Sequence, residues 1–389
     1  MTNQQPNARA LAIVELLEIP DSYYPLASQR YESLGRWLHR PESSVSKLAP
    51  AVYPQGSFRY GTVVRPLLKH EEYDLDLVAE IQKLTKGHGS QRDLKQMIGE
   101  EVHLYAESHG IKEPPEEKPR CWRLDYADQV KFHMDILPAI PDDNEFRNWL
   151  SAHGVAPELA KFAIGITDKR HPSYAAITTD WPRSNPRGFA GWFEGRMRAQ
   201  AQSRMQSLAE RRVYASIDDV PAWDWKTPLQ RSIQILKRHR DVMFRKNPDV
   251  APISMIITSL AAHSYEGEVN VFEALNNIVQ KMDRFVRPNA PRVPNPVNPA
   301  EDFADRWSAD ARLEPAFRLW HAQVKADVAA LGRELDFEQL DKHAEGRFGV
   351  SLPIATTKSL AGTAAGASIV RVAAPSVIIN SPPKPWRVR

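Results

Sequence analysis

Residues 53–81 read YPQGSFRYGTVVRPLLKHEEYDLDLVAEI. A Gly-Ser pair follows a short apolar segment, and after a loop comes Asp-Leu-Asp inside what otherwise reads as a core strand. AVYPQGSF (51–58) predicts strand, turn and helix start, and YDLDLVAEI (73–81) predicts a strand. Side chains alternate faces along a strand, so Asp74 and Asp76 share one face while Tyr73, Leu75 and Leu77 take the other. Two such carboxylates stand roughly 6–7 Å apart and repel by roughly 2–3 kcal/mol at an effective dielectric near 20. Burying that repulsion in a sheet needs a reason.

A third acid sharpens the question. PRCWRLDYADQVKFHMDILPA (119–139) predicts a hairpin with YADQ as its turn. In its second arm Lys131, His133 and Asp135 share one face, and Phe132, Met134 and Ile136 the other. Three converging acids require raised pKa values or a neutralising cation. A hard divalent ion suits all-oxygen ligands, and two ions can serve the attacking and leaving oxygens of an in-line displacement. In QGS, Gly56 lets a ligand approach the backbone, while Ser57 supplies a hydroxyl and is placed to cap the next helix. Free N–H groups at such a turn favour phosphate oxygens. The chain has no Walker A loop and no G-x-G-x-x-G fingerprint.

The rest of the chain sets these strands in a larger frame. Its 389 residues suggest about two lobes, with 42% hydrophobic and 25% charged residues and a net charge of +3. That balance speaks against a nucleic-acid coat or a membrane-surface protein. The single cysteine, Cys121, excludes an internal disulfide and a cysteine-rich zinc module, and reads as a packed strand residue. No signal peptide opens the chain and no run approaches the ~20 apolar residues of a membrane span, so the expectation is a cytoplasmic protein.

Helical periodicity covers 8–18, 23–39 and 91–108, and a Pro- and Trp-rich loop at 171–193 leads into a helix at 188–212. Beyond it, 229–244, 253–265 and 269–286 predict helices, 288–299 a proline-rich spacer, and about 301–332 two more helices. His70, Glu71 and Glu72 read as a solvated turn, and Asp142 and Asp143 as caps of the helix near Glu145. The expected organisation is a mixed α/β lobe with N-terminal helices (1–215), a helical lobe (216–350) and a flexible or loosely docked tail (351–389).

The ordered set resembles the polymerase-β-like nucleotidyltransferases: Gly-Ser, a loop, Asp-x-Asp, and a third acid on another strand. QGSFRYGTVVRP…EYDLDLV is most similar to the bacterial cGAS/DncV-like branch, which makes cyclic oligonucleotide signals in anti-phage defence. SNPRGFAGWFE (184–194), TPLQRSIQILKRHRDVMF (227–244) and PISMIITSLAA (252–262) resemble further elements of that branch in order.

The resemblance implies an α/β (α+β) bilobed fold, with a mixed-sheet catalytic lobe and a helical oligoadenylate-synthase-like lobe. It implies Asp74, Asp76 and Asp135 as metal ligands for two Mg²⁺ ions, with Mn²⁺ able to replace them, and Asp135 also as general base. Gln55, Gly56 and Ser57 would hold the donor triphosphate, Lys237 phosphate or base, Ser254 would line the nucleotide cleft, and Asn185 would read an acceptor base. The implied partners are NTPs and, through the tail, a HORMA-type or ubiquitin-transfer-like regulator. Direct activation by duplex DNA is not expected, since one cysteine cannot supply the zinc insertion of the animal relatives. A linear oligonucleotide synthase or RNA-tailing enzyme would use the same triad, and a non-catalytic nucleotide-binding module is the third alternative.

Overall fold

The computed structural model describes residues 4–67, 72–126, 132–210, 226–333 and 335–360. Two helices, α1 (Gln4–Leu17) and α2 (Tyr23–His39), precede β1 (Pro50–Pro54), the single-turn α3 (Gly56–Tyr60) and β2 (Tyr73–Ile81). α4 (Gln91–Ser108) starts in a reciprocal cap between Ser90 and Asp93. β3 (Glu116–Glu117), β4 (Trp122–Tyr126) and β5 (Phe132–Pro141) follow, then α5 (Asn144–Ala152), α6 (Pro157–Ala160), β6 (Ile164–Ile166), β7 (Arg183–Ser184) and α7 (Pro186–Glu210).

These strands form one mixed sheet in the order β1-β2-β5-β4-β3, with β6 joined to β5 and β7 to β6. Only the central β2–β5 pair is parallel. A parallel pair requires a crossover, and the chain from α4 through β4 supplies it. The odd-numbered residues of β2 and the even-numbered residues at the start of β5 bury Leu75, Leu77, Phe132, Met134 and Ile136 against α2 and α4. The expected alternation is therefore present, and the acids lie on the opposite face. The turn of the β4–β5 hairpin and Lys131 lie outside the described residues, as do His70 and Glu71.

The second half is helical: α8 (Pro228–Met243), α9 (Ser254–Ser264), α10 (Val271–Lys281), then α11 (Leu313–Leu331), α12 (Phe337–Phe348) and α13 (Ile354–Leu360), with a hairpin of β8 (Pro294–Asn295) and β9 (Asn298–Asp302) between α10 and α11. Thr227 and Gln230 cap α8 reciprocally. A single apolar core gathers α1, α5, the start of α7 and the later helices, while α2 packs with the sheet. The two N-terminal helices thus divide between the cores.

Two local expectations change. The stretch around 301–332 holds one long helix, α11, after a strand and a 3-10 turn at Asp305–Trp307. The reason is Asp302, whose carboxylate accepts from the backbone N–H groups of Arg292, Val293 and Ala304 at 2.6–2.9 Å and so folds this segment back as a hairpin. Asp143 caps α5 by accepting from the N–H of Phe146 at 2.8 Å. Asp142 does not cap it: it is buried against Lys86 at 2.5 Å and Arg183 at 3.3 Å. At the start of the tail the Leu360 carbonyl accepts from Gln5 Nε2 (3.2 Å) and Arg9 Nε (3.0 Å), which docks this part of it. Residues 361–389 lie outside the described residues.

Candidate active site

The β2–β5 register sets Asp76 directly beside Asp135, and Asp74 beside His133. Neighbouring strands lie ~4.8 Å apart, so the three carboxylates crowd one patch of sheet. Asp74 is exposed, and Asp76 is half-buried between it and the helical lobe. Desolvation, reinforced by Asp74 and Asp135, pushes the Asp76 carboxyl up to about 7. Desolvation raises Asp74 too, against the pull of Arg123.

Next to Asp76 stands the Gly-Ser turn. The N–H of Gln55 donates to the Asp76 carbonyl at 2.9 Å, continuing the β1–β2 ladder, and α3 begins at Gly56. Gly56 has φ +65°, and a Cβ there would fall 2.1 Å from Asp76 Oδ2. Both the backbone conformation and the acid's position therefore demand glycine. The helix cap is Gln55, without a side-chain bond, so Ser57 does not cap α3; it lies inside the turn and lines the cleft instead. Phe58 and Tyr60 are buried and anchor the turn.

A cleft of about 660 Å³ opens over this face, between the sheet and α8. Ser57, Asp74, Glu72 and His133 line it from the sheet side, and Lys237, Arg240, Asp241 and Phe244 from α8. Lys237 is buried and donates to the carbonyl and hydroxyl of Thr62, both at 3.1 Å. Desolvation first, then Arg240, lowers its ammonium to about 7. Ser254 is the first residue of α9 rather than its cap. It is reached through Arg240, which donates from Nη1 to Ser254 Oγ at 3.0 Å. Asn185 does not join the group. It is buried, donates to the carbonyls of Leu159 (3.0 Å) and Val297 (3.2 Å), and accepts from the N–H of Gly188 (3.0 Å). Its amide ties the start of α7 to α6 and to the β8–β9 hairpin.

Two features escape the sequence reading. Arg123 on β4 faces Asp135 across the hairpin and donates from Nε and Nη2 to its two oxygens, each at 2.7 Å. Its Nη2 is also 3.6 Å from Asp74 Oδ1. The second is His133, whose Nδ1 is 2.5 Å from Asp125 and whose Nε2 is 3.0 Å from Glu72. Ligand atoms of these three residues lie within 4.8 Å of one another, and an imidazole bridging two carboxylates accounts for that grouping. Glu72 is thus part of the cleft wall rather than a solvated turn. Cys121 stands just before β4, and burial holds its thiol up at about 12, which leaves it protonated.

Residues 50–138 match the nucleotidyltransferase domain described as "Cyclic GMP-AMP synthase DncV-like". A c-di-GMP synthase of Roseivirga ehrenbergii is 31% identical over 303 residues, covering 76% of this chain and 71% of that protein. The chain belongs to the cGAS/DncV-like nucleotidyltransferases. A second relative of this nucleotidyltransferase, the cyclic dinucleotide synthase CdnG of Bradyrhizobium diazoefficiens, is 25% identical over 357 residues, 86% of this chain and 78% of that one. The solved structure of the Bradyrhizobium diazoefficiens CdnG, in complex with GTP, superposes with a TM-score of 0.65 at 23% identity, covering 91% of this chain and 98% of that one. The fold is the bilobed polymerase-β-like one. The reading as a non-catalytic module gives way to an enzyme whose relatives synthesise cyclic dinucleotides. No described helix is long and apolar enough to cross a membrane.

Proposed function

We propose that this nucleotidyltransferase joins two guanosine triphosphates into a cyclic dinucleotide that serves as a signal in anti-phage defence. The observation that carries the reading is the placement of Asp74, Asp76 and Asp135 on one sheet face, with Asp74 lining the cleft that opens beside them. The preference for guanine is supported by the names of the relatives, a c-di-GMP synthase and a CdnG in complex with GTP.

The three acids fit a hard divalent cation. They offer only carboxylate oxygens, and desolvation first, then the neighbouring Asp74 and Asp135, raises the Asp76 carboxyl, so a cation there would be favoured. Asp74, Asp76 and Asp135 would hold Mg²⁺, or Mn²⁺ in its place. When bound, it would neutralise charge on the phosphoryl oxygens and polarise them.

The chain's own residues do the rest. Gln55, Gly56 and Ser57 receive the donor triphosphate with backbone N–H groups and the Ser57 hydroxyl, and Lys237 meets it from the helical lobe. A ribose hydroxyl of the acceptor attacks the donor α-phosphorus, so that an O–P bond forms as the bond to pyrophosphate breaks. Asp135 takes the hydroxyl proton. Turning the linear product in the cleft and repeating the transfer closes the ring. Ser254 contributes by holding Arg240 against the cleft wall.

The test is incubation of purified protein with each NTP singly and together, with Mg²⁺ or Mn²⁺, followed by phosphatase. A phosphatase-resistant product from GTP alone is expected, because a ring has no terminal phosphate. Labelled oligomers that phosphatase degrades would replace this reading with linear synthesis. A resistant product that requires ATP would refute the guanine assignment.

A further inference from the structure

Arg123 is absent from every role given above, yet it makes a two-bond contact with one of the three acids. Its guanidinium fills both oxygens of Asp135 in a fork, two bonds of 2.7 Å. Paired forks of this kind are among the strongest polar contacts a protein makes. Its backbone is fixed in β4, held between β3 and β5, so only the side chain can leave. That side chain is one-quarter exposed and opens on the same face as Asp74.

A carboxylate whose two oxygens already accept a guanidinium cannot also ligate a dication at full strength. The guanidinium already takes one lone pair on each oxygen and its charge repels a dication at that range, so the two cations compete for the carboxylate. We propose that Arg123 is the resident counter-ion of the third acid, and that metal loading requires its release from Asp135. The proposal rests on reading the three aspartates as metal ligands. It makes the metal-free site a latched state, in which the arginine keeps the acids from repelling one another. Arg123 is thus a positioning residue whose occupancy of Asp135 alternates with that of the ion.

The experiment titrates Mn²⁺ into the nucleotide-free enzyme by electron paramagnetic resonance, and follows the Mn²⁺-induced rise in melting temperature alongside. With its competitor gone, Arg123→Met should bind Mn²⁺ about tenfold more tightly than wild type, the worth of one charge-assisted contact. It should melt lower without metal and gain more on loading. Arg123→Lys keeps the charge but cannot fill both oxygens, so its affinity should fall between the two; it reads out the same competition should the methionine variant not fold. Equal or weaker Mn²⁺ binding in these variants would overturn the proposal while leaving the triad intact. Asp76→Asn separates the two ideas: if it leaves wild-type Mn²⁺ binding unchanged, the triad reading itself fails and this one with it.

Discussion

Asp76 and Glu80 stand on the same face of β2, four residues apart, and the fold treats them oppositely. Glu80 is buried, and its Oε2 accepts twice: from Tyr53 at 2.8 Å and from Arg187 at 2.6 Å. The guanidinium of Arg187 in turn lies over the rings of Tyr53 and Phe162. Among the described residues Asp76 is bonded to no such cation of its own. Its nearest positive charges, Lys237 and Arg123, are engaged by Thr62 and Asp135, and its carboxyl is held up near 7. One end of the strand spends its acid on stability, linking β1 and β2 to α7. The other end keeps an acid uncompensated beside a cleft. A buried charge left without a partner destabilises the fold unless a ligand supplies the missing charge.

That contrast breaks most readily by exchanging the two carboxyls for neutral groups. Asp76→Asn should lower product formation by on the order of 10³-fold or more, because the charge it removes is needed only in the reacting complex. The same change should leave the metal-free protein as stable as wild type or more so at pH 7 and above. Glu80→Ala should do the reverse. It leaves the one-third-exposed Arg187 guanidinium and the Tyr53 hydroxyl without their carboxylate and should cost about 1–2 kcal/mol in urea unfolding, while the folded fraction keeps most of its turnover. Product assay and urea denaturation on both variants decide the matter. Equal destabilisation by the two would erase the distinction between them.

Gly56→Ala sharpens the comparison at the Asp76 end. The alanine must hold φ +65° and place a methyl where the Asp76 carboxylate now lies. A loss of about 1–3 kcal/mol is expected from backbone strain, with a larger fractional loss of activity as the carboxylate is pushed from the cleft. A Gly56→Ala enzyme with normal turnover would mean that Asp76 need not sit where the structure puts it.

Much of this site was legible beforehand, and the limits have physical causes. Period-two alternation in YDLDLVAEI and VKFHMDILP placed the three acids on one face, because the odd and even positions differ sharply in hydrophobicity. Arg123 was not legible, because cross-strand register depends on turn length. A turn at Tyr126–Gln129 would set Arg120 opposite Asp135, whereas the observed ladder pairs Tyr126 with Phe132 and so Arg123 with Asp135. Asn185 misled for a different reason. Asn before Pro at a helix start serves a cap as readily as a ligand, and only the distant carbonyl of Val297 distinguishes the two. Asp302 gave no local signal, since its three donors matter only once the chain has turned. α12, by contrast, carries an Asp336–Gln339 capping box that a closer reading would have used.

The smallest expected effect is on pH dependence, and its sign tests whether Asp76 and Lys237 really oppose each other. The Asp76 carboxyl is raised from 3.8 to about 7 in the fold. Between those values the folded state holds a proton that the unfolded chain has lost, so this contribution to stability is full below pH 4 and disappears as the pH rises through 7. The Lys237 ammonium is lowered from 10.5 to about 7. There the unfolded chain holds the extra proton, so its contribution is full above pH 10.5 and disappears as the pH falls through 7. Together they put a shallow minimum near neutrality into the stability of the metal-free enzyme, on the order of 1–2 kcal/mol deep after solvent screening. Urea unfolding from pH 4 to 10 in the presence of chelator measures it. Asp76→Asn should abolish the fall on the acid side and Lys237→Met the rise on the alkaline side. Saturating Mg²⁺ should fill the acid-side dip, because the ion replaces the proton at Asp76, and its affinity should drop about tenfold per unit below pH 7 as one proton competes for the site. A minimum that survives Asp76→Asn unchanged would assign the titration elsewhere and remove the contrast with Glu80.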